Sequence, residues 1–349
     1  MNALFLYTEL APYFLNCVKL LVSRYEVDAH IFMWPINQVA PFDLKDHQRI
    51  RIENKAAYTY QELLAASKNI DPDIIYVSGW LDKDYLKIAR HFRKAGKIVI
   101  CAMDNQWTGN WRQRLASLIS WVYFKPRFSH LWVAGLYQFE FAGRLGYART
   151  HILWGLYAAD QARFHQAFLL AHQQKKARTY PHTFLYVGRL APEKGAFMLY
   201  HIFKTYIQPQ TDWKLIMIGT GAEARQMPST EHIDMRGFVQ ADKLIEVVKE
   251  AGCLVCPSLD EPWGVVIHEF AAAGLPMVVS ELAGAATAFV RHGYNAYLFD
   301  PHEEKQLIQA LLNIAQHTDE DLLRMGERSA QLSFQITPES WAATLMSAF

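Results

Sequence analysis

Residues 253–280 read "CLVCPSLDEPWGVVIHEFAAAGLPMVVS", and this stretch decides the fold. Cys253–Cys256 is a short apolar run bounded by Pro257 and Ser258, the pattern of a buried strand. "LDEP" is turn-forming. The apolar stretch from about Gly264 to Ala273 reads as a helix closed by Gly274, with Pro276 opening the next segment. "PMVVS" is again a strand. Strand, loop, helix and strand in this order form one unit of a parallel sheet with covering helices.

The alternation extends outward. Before it, "TFLYVG" (183–188), "WKLIMIG" (213–219) and "IDMRGFV" (233–239) read as strands, with helices at "AFMLYHIFKTY" (196–206) and "ADKLIEVVKEA" (241–251). A separate series opens the chain. "NALFLY", "VDAHIFMW", "PDIIYVSG" and "KIVICAMD" are its strands, and "PYFLNCVKLLVSRY", "TYQELLAASKNI" and "DYLKIARHFRKAGK" are its helices. Between the two series the chain turns polar and irregular. The expected division is a first domain over 1–160, a linker over 161–181 and a second domain over 182–332. One more helix is expected in the terminal segment 333–349. Two doubly wound α/β domains with a cleft between them place ligands beyond the carboxyl ends of the strands.

A chain of 349 residues, 51% hydrophobic and 20% charged, suits about two globular domains with sizeable cores. The net charge of +1 gives no global reason to expect a nucleic-acid partner. Cys17, Cys101, Cys253 and Cys256 are too few for a disulfide framework, which fits a reducing cytoplasm. Cys253 and Cys256 have redox spacing, but within a strand they point to opposite faces and read as core residues. The first basic residue is Lys19, so the N-terminus is a poor signal peptide, and no apolar run approaches the ~20 residues of a membrane span. A cytoplasmic location is expected.

Several loops carry chemistry. In "VGRLAPEKG" (187–195), Arg189 and Lys194 follow a strand directly; two cations in such a turn suit a phosphate, the alternative being an ordinary solvated loop. "IGTGAEA" (218–224) imitates a dinucleotide-binding turn, but Pro228 and Ser229 interrupt the helix that should follow, so a tight turn is the better reading. At 261–269, the amides of Trp263, Gly264 and Val265 open a helix at a strand end, which is a ready anion site. Glu261 stands just before it and Glu269 one turn inside. Each carboxylate accepts hydroxyl donors, so the pair suits hydroxyls on both sides of a phosphate, as in a nucleotide sugar. Asp82-Lys83-Asp84 resembles a metal motif, yet it opens a helix where acids are favoured anyway. The stretch 107–127 is basic and aromatic. It reads as a helix packed on the first sheet with a solvated basic face, the alternative being contact with an anionic membrane surface.

"GRLAPEKG", "IGTGAE", "RGFV" and "PSLDEPWGVVIHEFAAAGLPMVVS", in this order and spacing over about 182–301, resemble retaining glycosyltransferases of family 4 with the GT-B fold. The resemblance implies that Arg189 and Lys194 bind the donor diphosphate, with Gly188 and Gly219 in the turns beside it. It implies that Glu269 holds the ribose hydroxyls and Glu261 those of the donor sugar. The Trp263–Val265 backbone would contact sugar and phosphate, and Phe238 and Val239 would flank the base. The last helix would cross back to the first domain.

That first domain departs from the family pattern. A Gly-Gly loop is replaced by "YTELAPYFLN", and the place of a sugar-contacting histidine reads "CAMDNQWTG", with Asp104 or Asn105 instead. The expected activity is transfer of a sugar, with retention and without a metal or further cofactor, from a UDP- or GDP-sugar to a glycan or lipid-linked acceptor. Peripheral contact with the inner membrane face fits such an acceptor. A nucleotide-sugar-binding protein without transfer activity and a GT-B-fold epimerase are the alternatives.

Overall fold

The computed structural model describes residues 1–35, 48–177 and 180–349. The chain divides into two compact units: Met1–Ala158 together with Pro338–Phe349, and Ala159–Thr337.

The first unit holds a parallel sheet of seven strands: β1 (Asn2–Tyr7), β2 (Asp28–Met33), β3 (Ile50–Asn54), β4 (Ile74–Val77), β5 (Ile98–Met103), β6 (His130–Val133) and β7 (Ile152–Trp154). Their spatial order is β3-β2-β1-β4-β5-β6-β7. The reversal beside β1 is the switch point where doubly wound sheets open a crevice. Its helices are α1 (Pro12–Tyr25), α2 (Tyr60–Ile70), α3 (Lys83–Lys94), α4 (Trp111–Tyr123) and α5 (Leu136–Arg144). Thr59 and Glu62 form a reciprocal capping box that starts α2. Asp82 caps α3 by accepting from the amides of Asp84 and Tyr85, and it pairs with Lys55. The Asp82-Lys83-Asp84 run therefore has a structural task.

The second unit holds a parallel sheet of six strands in the order β10-β9-β8-β11-β12-β13. They are β8 (Thr183–Val187), β9 (Lys214–Ile218), β10 (Ile233–Met235), β11 (Cys253–Cys256), β12 (Met277–Ser280) and β13 (Ala296–Phe299). Around it lie α6 (Gln161–Ala177), α7 (Ala196–Ile202), α8 (Ala241–Val247), α9 (Val265–Ala272), α10 (Ala286–Phe289), α11 (Glu304–Gln316) and α12 (Asp319–Leu332). The segment expected as a linker is mostly α6. Phe164, Ala167, Phe168 and Ala171, at helical spacing, are buried within the second unit. Residues 178 and 179 of that expected linker lie outside the described residues.

The final helix, α13 (Pro338–Met346), belongs to the first unit. Trp341 stacks on Trp132 with ring centres 4.8 Å apart, meets Phe14 edge-on, and donates its indole N–H to the Leu156 carbonyl at 2.8 Å. One side chain thus supplies both ring packing and a satisfied polar handle. All four cysteines are buried and free, and burial pushes the Cys256 thiol up to about 12. They are core residues. No helix among the described residues is long and apolar enough to cross a membrane.

Candidate functional site

In the second unit the carboxyl ends of β8, β9, β10 and β11 bring the sequence-selected loops to one sheet edge. Backbone packs against backbone there. A Cβ on Gly219 would stand 1.8 Å from the Gly188 carbonyl oxygen, and one on Gly195 2.3 Å from that of Pro257. Only glycine permits such approach. Gly219 also donates its amide to the Gly237 carbonyl at 2.7 Å, tying the turn after β9 to the loop that carries Phe238 and Val239, both half-buried.

Lys194 ends a short 3₁₀ turn after β8, and its Nζ lies 2.8 Å from Glu261 Oε2, with both side chains mostly buried. The Ser258 hydroxyl is 3.4 Å from the same oxygen. Two residues 67 apart in sequence are thereby joined directly before α9. Arg189 is more exposed and forms an ion pair at 3.0 Å with Glu193 in its own loop. A cation in a solvated pair is free to exchange partners at little cost.

Gly264, at φ +91°, turns the chain into α9. The 261–264 loop is braced from the far side, since Gly284 donates to the Glu261 carbonyl and Ala285 to that of Trp263. The first amides of α9 have no partner within the helix, and the helix dipole favours an anion before them. Trp263 is buried, and its indole N–H has no hydrogen-bond partner among the described residues.

On α9, His268 and Glu269 behave oppositely. His268 is fully buried; its Nδ1 accepts from the Ala159 amide at 3.1 Å, and its Nε2–H donates to the Ser333 carbonyl at 2.9 Å. That arrangement fixes a neutral ring, and burial pulls its pKa down to about 4. The histidine is a brace for α9. Glu269 keeps some surface, but the dense surroundings strip water from its carboxylate and Asp160 adds a like charge. Together they push its pKa up to about 7. No ion pair with a cation relieves it among the described residues. Asp160 carried no signal in the sequence, because it is brought to Glu269 only by the fold.

The first unit has its own cavity, of about 380 Å³, at the ends of β1, β4 and β5. Tyr7, Glu9, Trp34, Tyr76, Asp104 and Tyr157 are among its lining residues. Tyr157 donates its hydroxyl to Asp104 Oδ2 at 3.0 Å, while burial raises the Asp104 pKa. The Tyr76 hydroxyl is buried and has no hydrogen-bond partner among the described residues. Asn105 lines the same cavity.

Residues 169–332 match the family described as glycosyl transferases group 1. The matched segment fills most of the second unit and is similar to the group 1 glycosyltransferases. A curated relative, D-inositol 3-phosphate glycosyltransferase of Corynebacterium efficiens, is 28% identical over 172 residues, which is 46% of this chain and 39% of that protein. The chain thus spans about two-fifths of that relative's length. Among solved structures, Anabaena HepE in complex with UDP and glucose matches with a TM-score of 0.73 at 15% identity, covering 99% of this chain and 98% of that one. Sucrose-phosphate synthase from Thermosynechococcus elongatus matches at 0.75 and 14% identity over the same shares. The fold is GT-B.

Proposed function

We propose that this protein is a retaining glycosyltransferase that takes a sugar from a nucleotide-diphosphate donor and passes it to a glycan or lipid-linked acceptor. The observation that carries the reading is the Lys194–Glu261 pair set against the start of α9, with Glu269 one turn further on. It combines a cation and helix amides for a diphosphate with two carboxylates for hydroxyls.

In this reading the diphosphate enters between Arg189, Lys194 and the Trp263–Val265 backbone. The bond from the sugar's anomeric carbon to the diphosphate oxygen breaks, and its electron pair leaves with the nucleoside diphosphate. Lys194, Arg189 and the α9 amides stabilise that charge as it develops. The acceptor hydroxyl attacks the same carbon from the same face and gives its proton to a leaving phosphate oxygen. Glu261, released from Lys194, accepts sugar hydroxyls, Glu269 accepts those of the ribose, and Phe238 and Val239 flank the base. In the first unit, the cavity around Asp104 and Tyr157 is the acceptor-side site. The cations and amides do the work a metal would do, so EDTA should leave the rate unchanged.

HepE was solved with UDP, which makes UDP-sugars the first donors to try and GDP-sugars the second. The test is calorimetric titration with a nucleotide-sugar panel, followed by nucleoside-diphosphate release with and without glycan and lipid-linked acceptors. Release that depends on acceptor supports the reading. Donor binding without turnover on any acceptor would leave a binding protein, and no donor binding would sink the proposal.

A further inference from the structure

α4 is built inside out. A surface helix ordinarily turns its apolar stripe to the domain and its polar side to water. Along α4 the residues at i, i+4, i+7 and i+11 are Trp111, Leu115, Leu118 and Val122, and they are 69%, 48%, 74% and 54% exposed. Ile119 and Trp121, beside this stripe, are exposed as well. The opposite side carries Gln113, Ala116, Ser117 and Ser120, and Ser120 is the one fully buried residue of the helix.

Polar bonds hold that side down. Ser120 donates to the Leu145 carbonyl at 2.7 Å, and Gln113 donates to the Gln106 carbonyl while accepting from the amides of Thr108 and Gly109. The basic residues Arg112, Arg114 and Lys125 are exposed, as the sequence led us to expect, but the exposed side is apolar as well. The hydrogen-bonding residues took the inward side, and the large apolar residues were left outside.

Charge says what covers them. No Asp or Glu occurs between Asp104 and Glu140, while Arg112, Arg114, Lys125 and Arg127 all do. At about 100° per residue, Arg112 and Arg114 fall on opposite flanks of the stripe. Both are exposed, as is Lys125 just past the helix end. Trp111 and Trp121 stand near the two ends, and indole suits the headgroup level of a bilayer, where one edge is apolar and the other wet. Size argues the same way. A helix of this length is about 20 Å long and about 10 Å wide. The stripe therefore covers on the order of 200 Å², far below the roughly 800 Å² per partner of a stable protein interface.

We propose that α4 is a lipid-surface helix. It lies in the headgroup region of an anionic bilayer, with Trp111, Leu115, Leu118 and Val122 among the upper acyl carbons and Arg112, Arg114 and Lys125 on lipid phosphates. The inference stands on α4 alone and is independent of the sugar-transfer reading.

The test is flotation of the full chain with vesicles of phosphatidylcholine alone or containing a third phosphatidylglycerol. Wild type is expected on the anionic vesicles and mostly unbound with the neutral ones, with binding weakened by salt. Leu118→Glu with Val122→Glu should cut partitioning by more than about ten-fold. Arg112→Gln with Arg114→Gln should cut it about five-fold per cation. All four positions are exposed, and among the described residues only Arg114 gives up a hydrogen bond, to the Gly109 carbonyl at 2.8 Å, so thermal melting should stay close to wild type and nucleotide titration should match it. Absence of wild-type binding to anionic vesicles overturns the proposal, and so does unchanged binding by the Leu118/Val122 variant. Self-association that this variant abolishes, without any vesicle binding, would assign the face to a second copy.

Discussion

The two sheet edges of this protein read their surroundings in different ways. At the edge of the second unit the backbone takes a large part: glycines let turns close on one another, and a helix start presents amides. At the edge of the first unit, side chains line a roomy cavity with phenols, indoles and one desolvated carboxylate. A Cβ on Gly79, which lines that cavity, would find its nearest neighbour 4.0 Å away. Backbone sites suit a ligand part with fixed geometry, such as a diphosphate. Side-chain sites can be rebuilt one residue at a time, which suits a partner that differs between proteins.

The largest effect that tests this contrast is steric. Gly219→Ala puts a methyl where the Gly188 carbonyl stands, and neither backbone can swing away as a side chain would. Nucleotide affinity should fall by about two orders of magnitude, with about 1–3 kcal/mol of stability lost to overpacking. Gly79→Ala meets no such wall and carries only the strain of φ +91°, about 1–2 kcal/mol. Titration calorimetry and melting of both variants measure this. Equal nucleotide affinities would erase the distinction between the edges.

Next comes Lys194→Ala. It removes a proposed phosphate cation and takes from Glu261 its ion-pair partner, so donor affinity should fall about ten- to a hundred-fold, as expected for a charge-assisted contact. Stability should fall by about 1–3 kcal/mol, because a mostly buried carboxylate loses its cation. If the diphosphate binds elsewhere, affinity will stay at the wild-type level.

If Glu269 holds the nucleotide as proposed, it couples affinity to pH. With its pKa raised to about 7, the folded protein holds a proton on Glu269 that the unfolded chain releases near 4.5. Stability contributed by this group is therefore full below about pH 4.5, declines as pH rises to about 7, and is level above that. Nucleotide affinity should move the other way and rise through pH 7 as the carboxylate becomes a full acceptor. Glu269→Gln should thus melt higher than wild type at pH 8, by up to about 3 kcal/mol of stability, yet bind nucleotide about ten-fold more weakly. A variant that is both less stable and equally tight would show that Glu269 serves packing instead.

The proposed donor half was legible in the sequence because its residues lie close together in the chain and in fixed order. "PSLDEPWGVVIHEF" holds the loop, the amides and both acids, and the alternation of apolar runs placed it at a strand end. What the sequence hid was what distant segments contribute. Asp160 reaches Glu269, Ser333 orients His268, and Lys194 meets Glu261 only through tertiary structure. The helix α6 was missed because the polar run from His172 to Lys176 masked the apolar stripe before it. α4 was legible as a helix, but an outward apolar side inverts the rule by which periodicity is turned into packing.

The smallest effect belongs to the first unit. Asp104 is desolvated, so its ionised form costs stability, while the Tyr157 hydroxyl compensates in part. Asp104→Asn keeps the shape and removes the charge. The variant should gain a few tenths of a kcal/mol at neutral pH, within the usual span for single substitutions. It should also lose the fall in wild-type stability that accompanies rising pH through the raised Asp104 pKa. Nucleotide affinity should not change, because none of the residues proposed for the diphosphate belongs to that unit. Acceptor-dependent turnover, in contrast, should drop. Together these outcomes would separate the edges by function as the geometry separates them by construction. A matching loss of nucleotide affinity in Asp104→Asn would instead make the two edges parts of one donor site.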